Sequence, residues 1–227
     1  MDFIVPMATQ ALLPVTGGNA VFPVRRVYCV GQNYASHVAE IGGDSRQPPF
    51  FFSKPPDALV PGGGKIAYPP RTSNLQHEVE LVVALLDGGA DIPVEQALAR
   101  VFGYAVGIDL TRRDLQSQAK EKGRPWEMSK AFDQSGPIGT LTPATQCGHL
   151  TAGCVWLTVN GDTRQDDDIG QMIWNVAEVI ANLSTYVTLA AGDLIFTGTP
   201  SGVSTVTRGD LIECGIDGVG CLTIELV

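Results

Sequence analysis

The chain has 227 residues, of which 44% are hydrophobic and 17% charged, a balance that supports one substantial core and excludes a disordered tract. With 15 basic residues against 24 acidic ones the formal charge is −9, which excludes nucleic acid and anionic membranes as principal partners, so an anionic ligand must be met by a local metal or a few converging cations. The start of the chain lacks a basic stretch followed by an apolar block, and no apolar run reaches bilayer length; neither signal peptide nor membrane span is expected, and the cytoplasm is the default.

In chain order, segments 21–30, 50–53, 77–86, 103–110, 155–160, 193–197 and 210–226 are rich in Val, Ile, Leu and aromatics, are bounded by Gly, Pro or Asp, and read as strands. Asn160-Gly161 and Asp217-Gly218 lie between apolar stretches as type I′ hairpin turns. Helical patterns occupy 33–41, 94–101, 111–122 and 170–187, the last with Ile173, Trp174, Ala177, Ile180, Leu183 and Val187 as a core-facing stripe. Residues 42–49 and 61–64 read as loops. Cys29, Cys147, Cys154, Cys214 and Cys221 are odd in number and lack Cys-x-x-Cys spacing, which suits buried free thiols in a reducing compartment. Strands outnumber helices without alternating with them, so a mixed, strand-dominated α+β domain is expected rather than a doubly wound nucleotide fold. Residues 1–20 are expected as an extension packed on a single catalytic domain spanning 21–227.

The most informative stretch is His77-Glu78-Val79-Glu80-Leu81, a buried-strand pattern that carries two carboxylates on one face. Such a pair needs a divalent ion or an Arg cluster to neutralise it, unless the strand is an edge with a solvated face. A second strand ends in Asp109, just before a helix that Thr111 would cap with Asp114 three residues on. Three carboxylates without Cys or His would prefer a hard ion, Mg²⁺ or Mn²⁺. Arg113 and Gln116 share a helix face suited to a substrate carboxylate. Lys54 and Lys130, each set among aromatics, suggest an enclosed site. His37 and Glu40 form a His-x-x-Glu pair able to activate water or to lie on the surface. His77 could orient a carboxylate ligand from behind. No Gly-x-Ser-x-Gly elbow, P-loop or Gly-x-Gly-x-x-Gly follows a strand, so metal-assisted chemistry remains.

Several blocks occur in one order: Tyr28-Cys29-Val30-Gly31-Gln32-Asn33-Tyr34 before His37 and Glu40, Phe51-Phe52-Ser53-Lys54-Pro55, His77-Glu78-Val79-Glu80-Leu81, Asp109-x-Thr111-x-Arg113-Asp114, Pro125-Trp126 to Lys130, Val159-Asn160-Gly161 and Thr197-Gly198-Thr199-Pro200. In these the chain resembles the fumarylacetoacetate hydrolase family, and within it the short acylpyruvate hydrolase branch. The resemblance implies a mixed β-sandwich roll, a homodimer, and Mg²⁺ or Mn²⁺ on Glu78, Glu80 and Asp109. It also implies catalytic positions at His37, Glu40 and Lys130 and substrate contacts at Lys54, Arg113, Gln116 and Thr199. The chain departs from the family pattern at Gln32, where Arg is usual, and at Ser204, where Gly is usual.

The implied reaction is hydrolysis of the carbon–carbon bond of a small anionic acylpyruvate, fumarylpyruvate foremost, with the ion on the 1-carboxylate and 2-oxo oxygens and His37 with Glu40 delivering water to the 4-carbonyl. Residues 37–49 would form a lid over the substrate. Decarboxylation of oxaloacetate, dehydration of a sugar acid and a non-catalytic binding domain are the competing readings.

Overall fold

The computed structural model describes residues 3–6, 9–36 and 47–227. The expected helix over 33–41 lies mostly outside them, and so do His37, Glu40 and most of the lid segment. The architecture is the expected strand-dominated α+β. Its centre is an eight-stranded sheet in the order Phe50–Lys54, Arg26–Gly31, Asp193–Phe196, Val79–Leu85, Val101–Ile108, Gly136–Ile138 and Leu59–Pro61, with Thr142–Pro143 also paired to Val101–Ile108. All seven residues of Val79–Leu85 are buried, as a central strand covered on both faces requires.

Alternation along that strand feeds two cores. Val79, Leu81, Val83 and Leu85 join a large cluster with Leu157, Ile212, Cys214 and Ile224 of a five-stranded antiparallel-rich sheet. Val82 and Ala84 face the opposite way, onto Cys29, Phe196, Ala105 and the N-terminal residues Leu13 and Phe22. Leu13 is held there by a hairpin in which Leu12–Pro14 pairs with Val21–Pro23.

Several elements differ from expectation. The strand expected over 21–30 is two strands, because Val21–Pro23 pairs with the N-terminal hairpin partner while Arg26–Gly31 enters the central sheet. Asp162–Asp168 forms a strand that the sequence pattern hid, since only Gln165 among its seven residues is buried. Asn160-Gly161 is the expected two-residue turn, with φ of 53° and 83°. Asp217-Gly218 is not: Ile216 pairs with Gly220 across three residues, and Asp217 does not take positive φ. The helix expected over 170–187 begins at Val176, capped by Asn175 and Glu178 in a capping box; before it, the backbones of Ile173 and Trp174 bond instead to Asn33. The helix expected over 94–101 is Val94–Ala97 followed by a tighter turn, Leu98–Arg100. Of the five free cysteines only Cys29 and Cys214 are buried. No helix among the described residues is long and apolar enough to cross a membrane.

Asp193 anchors the strand Asp193–Phe196. Its wholly buried carboxylate accepts from Arg25 at 3.1 Å, from Arg26 at 2.8 and 3.1 Å, and from the Ala190 amide at 2.9 Å. Asp193→Ala leaves that amide unpaired and is expected to cost about 2–4 kcal/mol, read as a lowered urea midpoint; an unchanged midpoint would show the anchor to be dispensable.

Candidate metal centre

Antiparallel register creates the acidic cluster. Val79 pairs with Ile108 and Glu80 with Gly107, and one step further the Asp109 amide donates to the Glu78 carbonyl at 2.8 Å. Glu78 and Asp109 therefore face each other across the ladder, and Glu80 lies diagonal to Asp109 on the same face. Each residue offers a carboxylate oxygen within 4.8 Å of the others, and all three are buried.

Three cations surround the trio. Lys130 Nζ donates to Glu78 Oε2 at 2.7 Å and to Asp109 Oδ2 at 2.6 Å; Lys54 Nζ lies 2.7 Å from Asp109 Oδ1; Arg113 Nη2 donates to Glu78 Oε1. The expectation that only an ion or an Arg cluster could make the trio tolerable is thus met in part by two lysines and one arginine. Glu80 is different. Among the described residues no cation pairs with it, and its bond is from the Gly198 amide at 2.7 Å. Burial, reinforced by Asp109 and Glu78, holds the Glu80 carboxyl well above its ordinary pKa. Burial alone would lower the Lys130 pKa, but Asp109 and Glu78 hold it above the usual ammonium value.

This donor set fits a hard divalent ion on two further grounds. It consists of oxygens only, and Asp109 Oδ1, though close to Lys54, makes no hydrogen bond of proper angle. A ligand oxygen is thereby left with capacity for an ion.

The pocket beside the trio is lined by Glu78, Glu80, Arg113, Gln116, Lys130 and Thr199, among others. Arg113 and Gln116 share a helix face as expected, Arg113 Nη1 donating to Gln116 Oε1 at 2.5 Å. That bond leaves the Gln116 amide NH₂ as a donor for a ligand. The helix runs over Arg113–Glu121, starting two residues later than expected and ending one earlier. Thr111 does not cap it: its hydroxyl donates to the Asp109 carbonyl at 3.2 Å, and Asp114 binds Thr72 at 2.7 Å.

Lys54 is not brought to the pocket. Its ammonium sits against Asp109 Oδ1 as an ion pair and donates to the carbonyls of Leu110 and Lys130, so it is held within the fold. His77 does not orient a carboxylate; its ring nitrogens meet Gln165 Oε1 and Ser204 Oγ, both at 2.9 Å. Burial lowers its pKa to about 4, against the opposing bond from Gln165.

Sequence reasoning missed Phe50, Phe52, Trp126 and Lys120, which line the same pocket. Their signal was available: Lys120 follows Arg113 and Gln116 at helical spacing, and Phe50 and Phe52 alternate on one strand. Gly198 matters here because its φ of 96° and the 2.8 Å approach of Asn33 Cβ to any added Cβ both demand glycine; only then does its amide reach Glu80.

The model of the fumarylacetoacetate (FAA) hydrolase C-terminal family matches residues 26–227. A fumarylpyruvate hydrolase of Ralstonia sp is 44% identical over 78% of this chain and 92% of its own. The mitochondrial oxaloacetate tautomerase of Rattus norvegicus is 42% identical over 86% of this chain and 88% of its own. Among solved structures, fumarylpyruvate hydrolase from Pseudomonas aeruginosa in complex with Mn²⁺ and pyruvate superposes with a TM-score of 0.97 at 50% identity, covering 100% of this chain and 99% of that one.

The raised pKa of Glu80 has a definite sign. Below the ordinary carboxyl pKa both folded and unfolded chains are protonated there; above it the unfolded chain ionises first, so the metal-free fold loses stability as pH rises toward the folded value. Glu80→Gln removes this loss, and the metal-free variant is expected to melt higher than the parent at pH 7–8. Scanning calorimetry with EDTA checks this, and a lower melting temperature would contradict it.

Proposed function

The chain belongs to the fumarylacetoacetate hydrolase family, and on that premise we propose that it hydrolyses the carbon–carbon bond of an acylpyruvate, with fumarylpyruvate as the substrate and fumarate and pyruvate as products. The observation that carries the reading is the buried, converging trio Glu78, Glu80 and Asp109, two of which, Glu78 and Glu80, line a pocket whose other polar groups are cations and amide or hydroxyl donors. Near-complete superposition on a fumarylpyruvate hydrolase supports the choice of substrate.

In this reading Glu78, Glu80 and Asp109 hold Mg²⁺ or Mn²⁺. When bound, the ion supplies Lewis-acid polarisation of the substrate's 1-carboxylate and 2-oxo oxygens. Gln116, Arg113 and Thr199 orient the anionic end of the substrate. Lys130 spends two of its three hydrogens on Glu78 and Asp109, and the third is available to the negative charge that develops on the dioxo unit. His37 and Glu40 take a proton from water as it adds to C4. The C3–C4 bond then breaks, its electron pair passing to the pyruvate enol, and C3 receives the proton. The phenyl rings of Phe50 and Phe52 with the Trp126 indole wall the pocket on its apolar side.

A second reading, oxaloacetate tautomerisation or decarboxylation at the same residues, is favoured by the similarity to mitochondrial oxaloacetate tautomerases. We further place the chain in the cytoplasm as a homodimer serving aromatic breakdown.

Ultraviolet absorbance of fumarylpyruvate, acetylpyruvate and oxaloacetate, with Mn²⁺ and then with EDTA, is the test. Fumarylpyruvate is expected to be consumed fastest and EDTA to stop turnover; faster consumption of oxaloacetate would favour the second reading. Lys130→Met is expected to lower kcat/KM for fumarylpyruvate by about 100-fold or more, and near-parental turnover would remove Lys130 from the mechanism.

A further inference from the structure

Gln165 is the one buried residue in the strand Asp162–Asp168, and it is wholly buried. Its carboxamide reaches across from the five-stranded sheet to the residues on either side of Glu78 and to Thr199 in the pocket wall. Oε1 accepts from the Val79 amide at 3.1 Å and lies 2.9 Å from His77 Nδ1. Nε2 donates to Thr199 Oγ1 at 2.8 Å and to the Pro200 carbonyl at 2.9 Å.

The orientation of this amide is not a free choice. A backbone N–H can only donate and a backbone carbonyl can only accept, so Val79 and Pro200 together fix which end is oxygen and which is nitrogen. Two consequences follow in opposite directions. His77 must carry its hydrogen on Nδ1, so Nε2 accepts from the Ser204 hydroxyl. Thr199, on the other side, receives a hydrogen from Gln165, so its own hydroxyl hydrogen must point elsewhere. Among the described residues the Thr199 hydroxyl donates no hydrogen bond, and Thr199 lines the pocket.

We propose that Gln165 is a positioning residue that makes Thr199 a hydrogen-bond donor into the pocket, where it binds an anionic oxygen of the substrate. The inference rests on the anion-binding reading above and deepens it: hydrogen-bond direction is set at Gln165 by the Val79 amide and the Pro200 carbonyl and delivered at Thr199. A carboxylate or oxyanion is recognised because it accepts, whereas an ammonium at the same place has no lone pair to take the hydrogen.

The test uses the Mn²⁺-loaded protein and oxalate binding by calorimetry. Thr199→Val is expected to weaken oxalate by about 10- to 100-fold, the worth of a hydrogen bond to a charged acceptor. Gln165→Glu keeps the acceptor for Val79 but takes the donor from Thr199, whose hydrogen then turns to the new carboxylate; oxalate is expected to weaken about tenfold or more. Acting through Thr199, that penalty should shrink to about twofold or less in the Thr199→Val background.

A merely structural role for Gln165 predicts penalties that multiply. Gln165→Met gives the same cycle without a buried charge, should the Glu variant fail to fold. Oxalate affinity indifferent to Thr199→Val, or penalties that multiply in the double variant, overturns the proposal. If the unsubstituted protein takes up Mn²⁺ but no oxalate, the anion-pocket reading falls and this inference with it.

Discussion

Antiparallel pairing of Val79–Leu85 with Val101–Ile108, in the register that puts Glu78 opposite Asp109, is the constraint on which the rest of the molecule depends. A slip of one residue would turn the carboxylates into the large hydrophobic core and Val79, Leu81 and Val83 onto the pocket side. The two cores hold the register from both faces. Their apolar residues alternate along the ligand strand, so any shift costs burial twice over.

Neutralisation of the trio is distributed. Lys54 comes from a strand, Arg113 from a helix and Lys130 from the short helix Glu127–Lys130, so three regions far apart in sequence must all arrive before the acidic face can close. Such buried ionic clusters are not a source of stability compared with apolar packing. Their retention makes sense through the pocket they create. With a divalent ion bound, the ion and the three cations would together outweigh three ionised carboxylates, leaving a positive surplus in a chain whose formal charge is −9. Under the proposed reading, that surplus is what draws a small anion to the pocket.

What was legible in the sequence was local. Glu78 and Glu80 two apart on a strand, and Arg113 and Gln116 three apart on a helix, depend on the periods of single elements. Asp109 at a strand end was readable for the same reason. Lys54 was correctly seen as enclosed, but its partner could not be read, because Asp109 reaches it only through tertiary packing. Thr111 looked like a cap by composition, whereas the backbone there pairs with Leu75–Gln76 and delays the helix. Gln165 was invisible: it sits among aspartates in a stretch with no apolar alternation, and its burial comes from a neighbouring sheet.

The acidic strand Asp162–Asp168 has a consequence beyond the pocket. It lies at one end of its sheet, with a bulge in its pairing between Leu157 and Thr158, and it carries four aspartates against a single arginine. An unguarded border strand is a template for strand addition by another chain and so for aggregation. Here a second copy offering the same border would bring four aspartates against four, with one arginine on each side to offset them, and this surplus of like charge disfavours continuation of the sheet from one molecule into the next across this side.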